Sequence, residues 1–153
     1  AVFRRVHRCV HSANPADMLP SCLKLVARNI RALQGDGYCF LPTGWKYFDN
    51  DTRALAYDWL LFVITKTGDS YTLTFCNPGF GSHSHPPLSQ VEPTCKVQRI
   101  SCLPITGIPA ARMLDMGWWT HVLMLLCYRQ REGRSERQNL LYELLEFIAD
   151  RPL

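Results

Sequence analysis

The segment from Ala54 to Phe75 constrains the fold more than any other. Its first part, ALAYDWLLFVIT, puts Leu55, Tyr57, Trp59, Leu61 and Val63 on one side of an extended chain and Leu60, Phe62 and Ile64 on the other. A strand that is apolar on both sides belongs in the middle of a sheet, where both faces find cover. Thr67-Gly68-Asp69 then reverses the chain, and Tyr71, Leu73 and Phe75 alternate with Thr72 and Thr74 on the return. A β-hairpin at the heart of a sheet follows from this pattern.

Around the hairpin the periodicity changes. Asn14-Pro15 is a helix-start signal, since Asn caps and Pro tolerates the first turn; Asp17 and Pro20 offer a second start. Leu19, Leu23, Val26, Ile30 and Leu33 recur at helical spacing, and Gly35 and Gly37 end the pattern. Tyr38 to Leu41 reads as a short strand stopped by Pro42, Thr43-Gly44 as a turn and Lys46 to Thr52 as a loop. Asn77 to Pro93 holds four prolines and two glycines, which makes it a loop. Cys95 to Leu103 reads as another strand, broken by Pro104, Gly107 and Pro109.

Two helices are expected after it, from about Pro109 or Asp115 to Tyr128 and from Glu136 to Ala149. The second carries Leu140, Leu141, Leu144, Leu145 and Ile148. The expected fold is therefore α+β: an antiparallel sheet of three to four strands, an N-terminal helix and two C-terminal helices. Residues 1–16 read as a basic lead-in or linker and 17–153 as a single domain. The chain opens on Ala1, as a fragment or processed product of a longer polypeptide would. Arg4, Arg5 and Arg8 without an acid give its start the charge of a transit-peptide tail.

A chain of 153 residues, 47% of them apolar, can build a core without a disulfide or a metal. Its longest apolar runs, Trp59 to Ile64 and Val122 to Leu126, are too short to cross a bilayer. The net charge is only +4, and the densest basic stretch, Arg129 to Arg137, is interleaved with Glu132 and Glu136. That reads as a solvated loop and argues against a nucleic-acid partner. Seven cysteines with no CxxC spacing do not make a secreted disulfide framework. They point to a reducing, intracellular compartment, the cytoplasm first and the mitochondrion second.

Three constellations could carry chemistry. Cys22 lies near the start of the first helix, where the dipole and unpaired N–H groups favour a thiolate. The stretch 38–81, with YCFLPTGW, RALAYDWLLFVI and YTLTFCNPGFG, resembles the strand region of papain-like thiol hydrolases. The resemblance implies a base His at the start of one strand and an Asn at the end of the next. Asn77 matches the second position, whereas Arg53 occupies the first, and a guanidinium cannot serve as general base. An active enzyme would need His83 or His85 from the loop; otherwise the chain is a degenerate relative. Cys76, His83, His85 and Cys95 surround one loop, but their spacing fits no structural zinc pattern, and neither metal nor cofactor is expected.

The third constellation is aromatic. Trp118 and Trp119 read as the start of a helix packed on the sheet, with one of them free to face outward. Trp45, beside Gly44 in the expected turn, reads as a surface anchor, with Arg53 as its charged companion. With no complete catalytic set, the reading favoured is a non-enzymatic interaction or scaffold domain, bound to a protein partner or to other domains of a parent chain. A papain-like thiol hydrolase, active or degenerate, is the alternative.

Overall fold

A computed structural model describes residues 15–35, 37–49, 53–79, 85, 100–127 and 134–153, though not the side chains of 15, 45–49, 54–57, 127, 134 and 135. Residues 1–14 of the basic lead-in read over 1–16, His83, Cys9 and Cys95 fall outside the described residues, and 15–16 belong to the first helix. Helix α1 spans Pro15–Arg31, followed by strands β1 (Tyr38–Asp49), β2 (Ala54–Thr67), β3 (Ser70–Cys76) and β4 (Cys102–Pro109). A short helix α2 (Ala110–Met113) leads into α3 (Met116–Cys127) and α4 (Arg134–Ala149). The strands form one antiparallel sheet in the order β1-β2-β3-β4. This is the α+β class with the helix placement expected. Among the described residues, no helix is long and apolar enough to cross a membrane.

The hairpin closes as the sequence predicts. Thr67 pairs with Ser70, and Gly68 takes φ +59° at the first of the two loop residues. A type II′ turn requires that positive φ, which suits the twist of the flanking strands. α1 also starts at Pro15 and continues through Pro20, whose missing N–H forgoes the helical bond to the Ala16 carbonyl. Asp115 caps α3, its Oδ1 accepting from the Gly117 and Trp118 N–H groups at 2.8 and 3.4 Å.

Several strand limits differ from expectation, and proline explains them. β1 continues through Pro42 and Gly44 to Asp49, so neither the expected turn at Thr43-Gly44 nor most of the loop at 46–52 forms. β4 likewise runs from Cys102 through Pro104 to Pro109. Both are edge strands, where every second N–H has no ladder partner, so a proline there need not remove a hydrogen bond. At Gly44 a Cβ would collide with the Asp58 carbonyl oxygen across the pair, so only glycine admits this close approach. Gly107, at φ +75°, lies beside the register shift between β3 and β4. The basic stretch is also corrected: α4 begins at Arg134, so Arg137 belongs to its first turn and is buried rather than solvated.

The sheet is covered on one side. Cys39 and Leu41 of β1, Phe62 and Ile64 of β2, and Leu73 and Phe75 of β3 face inward in register. Against them pack Cys22, Val26 and Ile30 of α1, Trp119 and Val122 of α3, and Leu141 and Leu145 of α4. Leu140, expected in the α4 stripe, faces outward, and Tyr142 takes the inward place. Both Trp118 and Trp119 are buried, because Trp118 donates its Nε1–H to the Leu144 carbonyl of α4 and Trp119 to the Met113 carbonyl of α2.

Burial of Cys39 has a consequence in alkali. Desolvation pushes its thiol from 9.0 up to about 11. A raised acid pKa means that the folded state keeps its proton while the unfolded chain loses it, so stability is complete below pH 9 and falls as pH climbs towards 11. At about 1.4 kcal/mol per pH unit, the loss attributable to Cys39 is on the order of 2 kcal/mol. Urea midpoints at pH 8 and pH 10.5 should show a smaller alkaline drop in Cys39→Ala than in the parent chain.

Candidate functional site

The period of two that sends Leu60, Phe62 and Ile64 into the core sends Trp59, Leu61 and Val63 to the opposite face. In register with them, Gly44 lies opposite Trp59, Pro42 opposite Leu61 and Phe40 opposite Val63. Tyr38 pairs with Thr65 at the end of β1 and stacks on Phe40, ring centroids 5.9 Å apart. The helices pack on the inner face, and here Tyr38 is 60% exposed, Phe40 54% and Trp59 56%. Thr65, Thr72 and Thr74 continue the face across β3, and Cys76, Cys102 and Pro104 complete it. Among the outward positions whose side chains are described, none carries a charge, while Lys46 holds an outward register position opposite Tyr57 towards the far end of β1.

Depletion of charge around exposed aromatics is the composition of an interface core, since a solvated sheet face is normally polar. Phe147 of α4, also exposed, differs in setting, since Glu143 and Glu146 flank it. Tyr38, Phe40 and Trp59 were missed as anchors in the sequence. The alternation in β2 was visible, but both of its faces were assigned cover.

Trp45 falls inside β1, opposite Asp58, with its side chain outside the described set. The turn at Thr43-Gly44 that would have displayed it does not form. Arg53 sits at the end of the β1–β2 connection with φ +51° and is exposed. A non-glycine residue there tolerates the left-handed region at a cost of order 1 kcal/mol.

Of the residues that the papain-like resemblance implies, the structure joins two. His85 is fully buried, its Nδ1 2.7 Å from the Ile100 carbonyl and its Nε2 2.7 Å from the Tyr142 hydroxyl. The carbonyl can only accept, so Nδ1 carries the hydrogen and Nε2 accepts from the Tyr142 O–H. Asn77 donates its Nδ2–H to the same tyrosine oxygen at 3.4 Å, and its Oδ1 accepts from the Gly79 N–H at 3.1 Å. Burial pushes the Tyr142 phenol up, and the hydrogen bond from Asn77 opposes that shift. The chain Asn77–Tyr142–His85 thus sets the imidazole tautomer and ties α4 to the end of β3. Both imidazole nitrogens are engaged in it.

Cys22 lies on α1 within the hydrophobic core and is 0% exposed. Cys76 and His85, two of the four residues around the loop considered for zinc, do not converge. Cys76 faces outward on β3, while His85 lies against the inward Phe75 ring, centroids 6.0 Å apart. Among the described residues, no group of three or more His, Cys, Asp or Glu is placed to hold a metal ion.

Compared with known proteins, the chain matches no protein-family model, no curated protein and no solved structure.

Proposed function

We propose that this chain is a non-enzymatic interaction module that docks a protein partner, or another domain of its parent polypeptide, on the outer face of its sheet. The observation that carries this reading is the cluster of Tyr38, Phe40 and Trp59 on the outer surface, each more than half exposed and set among described side chains that carry no charge. Large rigid aromatics bring contact area at low entropic cost, and they dominate interface energetics. Docking through the face fits the sheet better than strand addition at an edge. Pro42 in β1 and Pro104 and Pro109 in β4 each take a donor from the two edges. The partner surface that suits the Tyr38–Phe40–Trp59 cluster is itself apolar at its centre, because a buried charge there would find no counter-charge among the described side chains around it.

The test uses a photo-reactive residue at position 40 or 59 in the cell of origin, with a control on the exposed side of α1 at position 28. A heterologous polypeptide captured at 40 and 59 but not at 28 is the expected result. Phe40→Lys or Trp59→Lys should weaken its binding by about 30-fold or more, with the thermal midpoint nearly unchanged. Capture of a second copy alone would replace the partner with a homodimer. Equal capture at all three positions would remove the reading.

A further inference from the structure

Cys76 and Cys102 face each other across β3 and β4 on the same outer surface, with Cys102 exposed and Cys76 partly so. Their sulfurs are 2.7 Å apart, closer than two unbonded thiols normally rest. Backbone geometry brings them there. The Asn77 N–H donates to the Ser101 carbonyl at 2.7 Å, one step beyond the pair, so Cys76 and Cys102 occupy a site not hydrogen-bonded to each other. At such sites opposed Cα atoms approach to about 4.5 Å, which lies at the near end of the range a disulfide spans. Cys22 and Cys39, by contrast, are buried in the core.

We propose that Cys76 and Cys102 form a thiol–disulfide exchange site that accepts a small-molecule disulfide and closes into a cross-strand bond. The reaction has two steps. The Cys102 thiolate attacks one sulfur of the small disulfide, forming a mixed disulfide and expelling the first small thiolate, which takes up the proton that Cys102 released. Cys76 then attacks the Cys102 sulfur, the mixed bond breaks, and the second small thiolate leaves with the Cys76 proton. The protein dithiol is oxidised by two electrons, and one small disulfide is reduced to two thiols.

The order of attack follows from the surroundings. Burial, then the hydrogen bond and charge of Cys102, push the Cys76 thiol up to about 12, so it is a poor first nucleophile. Once Cys102 is capped, its charge is gone and its sulfur becomes the electrophile beside Cys76. Proximity then compensates for the small thiolate fraction. The site does not depend on whether the face docks a protein.

The test exposes the reduced, folded chain to glutathione disulfide, quenches with acid and maps thiols by peptide mass spectrometry. The expected product is the Cys76–Cys102 bridge with Cys22 and Cys39 unmodified, formed at least ~10-fold faster than in the urea-unfolded chain. Cys76→Ser should retain one glutathione on Cys102, and Cys102→Ser should leave Cys76 unmodified over the same interval. Near-UV circular dichroism checks that both variants remain folded, and the mapping of the parent chain is independent of them. A mixed disulfide that persists on Cys102 in the parent chain, first attack at Cys76, or no reaction at either residue would overturn the proposal.

Discussion

Trp119→Ala is expected to cost about 3–5 kcal/mol, enough to unfold a large fraction of the chain or leave it without fixed packing. The indole is 1% exposed and lies where α3 meets the sheet. It meets the Phe62 ring edge-on at 6.1 Å and the Trp118 ring at 4.7 Å. Its Nε1–H also donates to the Met113 carbonyl at 2.8 Å, so truncation leaves that acceptor unsatisfied beside an empty volume. Trp119→Phe should recover part of the loss, because a ring still fills the space while the donor is gone. Urea midpoints of the two variants separate the packing contribution from the hydrogen bond. A loss below about 1 kcal/mol for Trp119→Ala would mean that α3 does not seal the core.

Tyr142→Phe should be the second most damaging change that keeps the ring. The phenyl group preserves the edge contact with Phe75, centroids 5.7 Å apart, and removes only the hydroxyl. That single atom hydrogen-bonds to both His85 Nε2 and Asn77 Nδ2, so its loss removes two buried hydrogen bonds at once. A cost of roughly 2–4 kcal/mol is expected, larger than for deletion of an ordinary hydroxyl. A double-mutant cycle with His85→Leu tests the assignment. If the O–H donates to the imidazole, the two changes together should cost less than their sum by about 1–3 kcal/mol. Strict additivity would show that the two groups do not share a proton.

The hairpin was legible in the sequence because its signals agree: alternation in Tyr71 to Phe75, a glycine where φ must be positive, and a doubly apolar β2. The same holds for α1 and α3, where Pro15 and Asp115 mark the starts. Strand limits were less legible, since Pro42 and Pro104 stop a strand only if it is internal, and the sheet order that makes β1 and β4 edges is a tertiary fact. The face of β2 that stays open could not be read either. Its alternation shows two apolar sides, but which side the helices cover depends on the crossings from β4 onward. His85, a candidate base by residue type, is a buried polar tie, because the Tyr142 that occupies it comes from the far end of the chain. Tyr142 itself gave no signal beyond an aromatic on a helix.

The sheet order β1-β2-β3-β4 has a bearing on how the molecule assembles. Every strand pairs with its neighbour in sequence, so most of the sheet can form by successive local closures, each with a small loss of chain entropy. The contacts of α3 with α1 and β1 are different in kind, joining the start of the described chain to a helix that follows all four strands. They have to wait until the sheet between them exists. The strands are therefore expected to pair early, and the joining of α1 and β1 to α3, which closes the longest loops, to come late.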